Sequence, residues 1–235
     1  LKKPSEIRVD VGSGEQTTAL VYTAGEPRIG AALILAHGAG AGQHSPFMAG
    51  FAEALAALGA DLITFNFLYT ERKRRLPDRA PALESCYRAV ITAIRDRIDS
   101  AQHALFIGGK SMGGRIATQV AAADAGLPVT GLVLLGYPLH PPGQPDRLRD
   151  AHLPGVARPM LFVQGTRDTF GTPDELAPIL ARVAPPPTMH PVAGGDHSFK
   201  VSGRDKGRQT AMHEDIQGAI ARWMSAVTSA RGDGS

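Results

Sequence analysis

Two kinds of apolar spacing follow one another along the chain. Residues 5–11 and 17–23 carry short alternating or β-branched runs (Ile7, Val9, Val11; then Thr17 to Thr23) on either side of Gly12-Ser13-Gly14. That pattern predicts a β-hairpin whose loop is longer than the tightest turns. Ala31 to Ala36 is then a continuous apolar run, as in a strand covered on both faces. Residues 46–58 place Phe47, Phe51, Leu55 and Leu58 at helical spacing, with Gly59 as the stop. Strand and helix patterns alternate from there. Strands are expected at Asp61 to Phe67, Leu105 to Gly108, Leu132 to Leu135, Pro159 to Gln164 and Thr188 to Val192. Helices are expected from about Ala82 to Asp99, after Ser111 to about Ala125, over 174–183, and over 209–228 with Ile216, Ile220 and Trp223 along one stripe.

A hairpin followed by repeated β-α alternation predicts a mainly parallel sheet with helices on both faces. No internal repeat or linker divides the chain, so residues 1–235 read as one domain. The single long irregular connection, residues 137–158, is the only candidate for a cap.

In such a sheet, ligands bind beyond the carboxyl ends of the strands, so the residues that follow each strand matter most. The first parallel strand delivers His37-Gly38-Ala39-Gly40, and the strand at 105–108 delivers Gly109-Lys110-Ser111-Met112-Gly113. The strand at 159–164 delivers Asp168, and the last delivers Gly195-Asp196-His197-Ser198-Phe199. Gly109-x-Ser111-x-Gly113 between a strand and a helix is how a sharp turn presenting one serine would be written, with glycine wherever a Cβ would crowd it. A serine hydroxyl needs a base, an imidazole supplies one near neutral pH, and a carboxylate orients that imidazole. Ser111, His197 and Asp168 are therefore the candidate nucleophile, base and acid. The backbone N–H of Met112, with that of Ala39 or Gly40, is the candidate oxyanion hole.

Other groups carry weaker assignments. Asp196, the rival acid, is expected to shape its loop, and His37 to order the glycine loop. His44, His103, His152, His190 and His213 read as surface or structural, while His140 could line a pocket from the long loop. Tyr69, Tyr137, Leu139, Phe170 and Phe199 are candidate pocket walls. Within Arg72-Lys73-Arg74-Arg75, Arg72 is the candidate partner for an anionic group on the substrate. The sequence offers no role for Lys110.

Composition narrows the field. Hydrophobic residues make up 43% of the chain, enough for a sizeable core, and a net charge of +3 is too small to imply nucleic-acid binding. One cysteine, Cys86, excludes an internal disulfide framework and suits a reducing cytosol. No apolar run is long enough for a membrane span, and Leu1-Lys2-Lys3-Pro4 does not open a secretory signal, so a cytoplasmic protein is expected. Gly109-Lys110-Ser111 is not a phosphate loop, because Ala104 stands where that loop needs glycine. Glycines 38, 40 and 42 do not form a dinucleotide loop, because Gln43 takes the third glycine position. No cysteine/histidine cluster points to a metal, and no cofactor is implied.

Taken together, His37-Gly38-Ala39-Gly40, Phe65-Asn66-Phe67-x-Tyr69, Gly108-Gly109-Lys110-Ser111-Met112-Gly113-Gly114, Gln164-Gly165-Thr166-Arg167-Asp168 and Gly195-Asp196-His197-Ser198-Phe199 resemble an α/β-hydrolase of the dienelactone-hydrolase-like group. More narrowly, they resemble the subfamily shared by many uncharacterised bacterial hydrolases and a subunit of the human NSL chromatin complex. The resemblance implies a mainly parallel sheet of roughly eight strands, little or no cap domain, and the same three residues as triad. Well-known dienelactone hydrolases carry a cysteine nucleophile where this chain has Ser111, which puts their substrate in doubt. The function expected is cleavage of a carboxylic ester, or of a thioester or amide, through an acyl-enzyme on Ser111. The partner is then a small-molecule ester-type substrate, without nucleic acid or membrane, and the oligomeric state is left open. The alternative is a non-catalytic interaction module that keeps the scaffold, but such a module has no need of all three triad residues.

Overall fold

In the computed structural model, which describes residues 3–201 and 206–232, eight strands form one sheet in the order β1-β2-β4-β3-β5-β6-β7-β8. Leu1 and Lys2 of the N-terminal run lie outside the described residues. The strands are β1 Ser5–Gly12, β2 Glu15–Tyr22, β3 Ala32–Ala36, β4 Asp61–Phe65, β5 Leu105–Lys110, β6 Gly131–Leu135, β7 Met160–Gly165 and β8 Thr188–Val192. The helices are α1 Pro46–Ala57, α2 Leu68–Glu71, α3 Ala80–Arg97, α4 Asp99–His103, α5 Met112–Ala122, α6 Pro173–Leu180 and α7 Lys206–Gly232, with a 3-10 turn at Leu153–Gly155.

The hairpin forms as expected, but its connection is shorter than the sequence suggested. Gly12 pairs with Glu15, so only Ser13 and Gly14 turn the chain, both at positive φ (55° and 75°). Positive φ at both central positions matches the right-handed twist of the flanking strands. The register shift between Asp10 and Gly12 absorbs the extra residue that had looked like loop.

β1, β2 and β4 are antiparallel neighbours, while β4, β3, β5, β6, β7 and β8 run parallel. Every residue of β3, β4, β6 and β7 is buried, which explains their unbroken apolar runs. Alternate residues feed two cores. Ile34 and Ala36 join Tyr87, Val90, Ile116 and Leu176 on the side covered by α3, α5 and α6. Leu33 and Leu35 join Phe51, Leu55, Ile216 and Ile220 under α1 and α7.

The parallel register aligns the strand ends that matter. Ala36 pairs with both Phe65 and Gly109, Lys110 with Leu135, and Gly165 with Val192. The loops leaving β3, β5, β7 and β8 therefore emerge from one edge. At the centre of the sheet the buried Tyr87 hydroxyl accepts the Gly108 N–H at 2.9 Å and reaches the Gly108 and Ile34 carbonyls at 2.6 and 3.1 Å. This ties α3 to the strand that carries the serine turn. Cys86 beside it is fully buried, and burial pushes its thiol pKa up to about 12. The 137–158 connection packs Leu139, Leu153 and Val156 into the body instead of forming a lid. Among the described residues, no helix is long and apolar enough to cross a membrane.

Candidate active site

β5 ends in a turn that only its glycines allow. Ser111 has φ 51° and ψ −114°, a region that costs a non-glycine residue about 1–3 kcal/mol. A Cβ on either Gly109 or Gly113 would overlap the Ala36 carbonyl oxygen. Their bare backbones thus let β5 and α5 press against β3 and hold the turn. The Ser111 N–H is bound to the Leu135 carbonyl at 2.9 Å. Although Ser111 sits at the N-cap of α5, its side chain makes no capping bond. Its Oγ lies 2.8 Å from His197 Nε2.

His197 is reached from β8 through a tightly shaped loop. Asp196 Oδ1 accepts the N–H groups of Ser198 and Lys200, each at 2.8 Å, the loop-shaping role expected of it. His197 Nδ1 stands 2.8 and 3.0 Å from the two carboxylate oxygens of Asp168. With that proton donated to Asp168, Nε2 is left to accept from the serine. Asp168 itself is buried, and it accepts Gln164 Nε2 at 3.0 Å and the Phe170 N–H at 2.8 Å. Phe170 stacks on the imidazole, ring centroids 4.1 Å apart, and lines the cleft as expected.

Lys110 has a place that the sequence did not reveal. Its Nζ donates to the His197 carbonyl and faces the Phe199 ring at 5.1 Å. The cation therefore pins the backbone of the residue whose ring serves Ser111. Burial lowers its pKa to about 8, against the pull of Asp168 and Asp196 in the other direction. Between this value and the ordinary 10.5, the unfolded chain holds a proton that the folded chain has lost, so stability rises with pH across that window. In urea titrations, Lys110→Met is expected to remove this gain. The difference in unfolding free energy between wild type and variant should grow from pH 8 to 10, by up to roughly 1.4 kcal/mol per pH unit. A flat difference would mean that Lys110 does not titrate there.

The glycine loop after β3 is held from behind. His37, fully buried, contacts the Gly38 carbonyl through Nδ1 (2.7 Å) and accepts the Phe67 N–H through Nε2 (3.1 Å). Burial lowers its pKa, which favours this neutral form. Tyr69 does not line the cleft. Its hydroxyl donates to the Ala39 carbonyl at 3.1 Å, and in a trans peptide this turns the Gly40 N–H the opposite way. Among the described residues, the N–H groups of Ala39 and Gly40 have no protein partner, whereas that of Ala41 reaches the Gly38 carbonyl. Met112 begins α5, so its N–H has no partner within the helix.

These groups face an open cleft of about 1320 Å³. Ser111, Met112, His197, Ala39 and Gly40 all line it. Tyr137, Leu139 and Phe199 do not. Each is buried behind the wall, Tyr137 with its hydroxyl on the Arg149 carbonyl (2.6 Å), Phe199 packed under Phe47 and Lys110. Arg72 also falls outside the cleft, because Glu15 across the hairpin pairs with its guanidinium. His140 is tied to Glu175 at 3.2 Å away from the cleft, whereas His213 lines it, edge-on to Phe51. Among the lining residues that the sequence reading did not single out are Arg115 and Arg149. Arg115 was findable, since it lies four residues after Ser111, one helical turn along the same face. Among the described residues, no group of histidine, cysteine and carboxylate side chains is arranged to hold a metal.

Residues 30–225 match the family described as alpha/beta hydrolase domain. The chain belongs to the α/β-hydrolase family. Solved members share the architecture. A lidless α/β serine hydrolase from Xanthomonas campestris is 20% identical, with TM-score 0.71 over 95% of this chain and 96% of that one. A serine hydrolase homologue from Coxiella burnetii is 18% identical, with TM-score 0.73 over 94% and 99%. A dienelactone hydrolase from Anabaena variabilis is 21% identical, with TM-score 0.71 over 94% and 97%. These likenesses establish the α/β-hydrolase fold without a lid.

Proposed function

We propose that this α/β-hydrolase is a serine esterase working through an acyl-enzyme on Ser111. The observation that carries this reading is His197, within 2.8 Å of Ser111 Oγ on one side and of Asp168 on the other. In the first half-reaction Ser111 Oγ adds to the ester carbonyl as His197 Nε2 takes its proton. The oxyanion that forms is met by the N–H of Met112 and that of Gly40, the amide that Tyr69 orients, with Ala39 N–H as the neighbouring alternative. One such donor is worth about 10²–10³ in rate. Collapse breaks the bond to the alcohol, which leaves with the proton from His197. Water then repeats the sequence on the acyl-serine, returning the acid and free Ser111. The same steps apply to a thioester or an activated amide.

The motifs further support a place in the dienelactone-hydrolase-like branch, within the subfamily that includes the NSL-complex subunit. The unbroken alternation of strands and helices supports one catalytic domain over residues 1–235 acting on small-molecule substrates, and the single cysteine is in keeping with the cytoplasm. The open cleft suits esters of small to medium size. Fluorophosphonate labelling tests the chemistry. Peptide mass spectrometry is expected to find one adduct, on Ser111, that is absent from Ser111→Ala. A folded wild-type protein that takes no label would overturn the reading.

A further inference from the structure

The ammonium of Lys110 lies behind the triad, where three groups converge on one glycine. A Cβ on Gly136 would stand 2.8 Å from Lys110 Nζ, 3.2 Å from the His197 carbonyl oxygen and 3.5 Å from Asp168 Oδ2. Gly136 has no Cβ and takes φ 61°, so the chain can leave β6 there and keep the niche open. Lys110 comes from β5, Asp168 from the loop after β7 and His197 from the loop after β8. One cation therefore stands where the segments bearing the nucleophile, the acid and the base meet.

The loop that carries the base is held at most of its polar atoms, and one of those holds belongs to Lys110. Asp196 Oδ1 takes the Ser198 and Lys200 N–H groups, and the Asp196 carbonyl takes that of Phe199 at 2.9 Å. From α7, Gln209 donates to the Phe199 carbonyl at 2.6 Å and accepts the Val201 N–H at 3.2 Å. The His197 carbonyl receives no backbone N–H among the described residues, and its bond comes from Lys110. The 197–198 peptide is thus gripped by its N–H from Asp196 and by its oxygen from Lys110. Two residues on, Phe199 is held at φ 54°, which a bulky side chain rarely adopts, so the loop keeps its shape only while its neighbours enforce it.

We propose that Lys110 is a positioning residue whose ammonium, bonded to the His197 carbonyl beside Asp168, keeps the imidazole on the line between Asp168 and Ser111. The charge matters as well as the bond. It balances the buried Asp168 carboxylate, and a charged donor holds a carbonyl more strongly than a neutral one. The proposal rests on the esterase reading for its kinetics but not for its effect on the ring, so each has its own measurement. Lys110→Met keeps the length of the side chain and removes both charge and donor. In protein labelled with ¹⁵N at histidine, the His197 resonances are identified by their loss from His197→Gln. Just below pH 8, wild type is expected to show one tautomer, with the proton on Nδ1, as the contacts to Asp168 and Ser111 require. In Lys110→Met the two nitrogen shifts should draw together, as in a ring that samples both tautomers.

For turnover, kcat of Lys110→Met with p-nitrophenyl acetate is expected to fall about 10- to 100-fold with KM nearly unchanged, the range set by a base displaced by about 1 Å. The ratio of wild-type to variant kcat should then narrow as pH rises through about 8, where Lys110 gives up the proton that Asp168 and Asp196 favour and burial opposes. A role in folding alone predicts no such narrowing, because the same deprotonation strengthens the fold across that window. The wild-type nitrogen shifts should draw together in the same window, so the test holds even where Lys110→Met fails to fold. A single tautomer retained in Lys110→Met, or a kcat ratio constant across the window, overturns the proposal. A wild type that cleaves no ester and takes no fluorophosphonate overturns the esterase reading, and the nitrogen shifts then decide the role of Lys110 by themselves.

Discussion

Ser111→Ala is expected to lower kcat for p-nitrophenyl acetate by about 10⁴- to 10⁶-fold with little change in melting temperature. The loss in rate follows from the geometry at Oγ, which His197 Nε2 meets at 2.8 Å on the cleft side. The small effect on stability follows from what Oγ does not do. It caps nothing on α5, and the turn is held by backbone bonds from Ser111 N–H to Leu135 and from Arg115 N–H to the Ser111 carbonyl, at 2.9 and 3.1 Å. Alanine pays the same penalty as serine at φ 51°. What survives should be the contribution of the oxyanion donors and of binding, so a residue of slow turnover over solution hydrolysis is expected. Initial rates with a matched thermal melt decide the matter. Retention of more than about one part in 10² of kcat would mean that another group attacks.

Gly108→Ala is expected to act in the opposite way, removing the fold and the activity with it. Gly108 lies in β5 opposite Leu35 on one side and Val133 on the other. A methyl on its Cα would overlap the Val133 carbonyl oxygen, which is backbone of a buried strand and has nowhere to go. The same residue carries two of the three bonds of the Tyr87 hydroxyl, so a shift of β5 also leaves a fully buried phenol with its 3.1 Å bond to the Ile34 carbonyl alone. A loss above roughly 4 kcal/mol is expected, enough to consume much of a typical domain's stability. Gly50→Ala is the control, because Gly50 lies inside α1 and an added Cβ meets open space. It should be neutral or stabilising by about 0.5–1 kcal/mol. Soluble yield and urea midpoints of the two variants test the contrast, and comparable stability of Gly108→Ala and wild type would refute it.

Most of the architecture was legible because burial writes itself into composition. β3 and β6 are covered on both faces, and their runs Ala32–Ala36 and Gly131–Leu135 contain nothing that water would keep. The three triad candidates were legible for a different reason. A parallel sheet sends every strand end to the same edge, so a serine, an acid and a histidine that each follow a strand must emerge as neighbours. Direction of side chains was not legible. Tyr69, Tyr137 and Phe199 all follow strands at that edge, and a sequence does not say whether a ring faces the cleft or stands behind its wall. Here each stands behind, holding Ala39, Arg149 and the Lys110 cation in turn. Charge pairing was equally hidden. Arg72 and Glu15 are far apart in the chain and meet only because α2 returns over the hairpin. Lys110 could not be understood from its neighbours in sequence, since its partner is the carbonyl of His197, which the fold brings across from another strand.

The lone thiol at position 86 has a practical consequence. Burial holds its thiol pKa near 12 and leaves it without exposure, so thiolate is scarce at neutral pH and walled in where it forms. Alkylating reagents, mild peroxide and thiol-exchange buffers should therefore pass the native protein by, in contrast to hydrolases that attack with sulfur. A cysteine placed anywhere on the surface would be the sole reactive handle, ready for a dye, a spin label or a solid support without first rebuilding the interior.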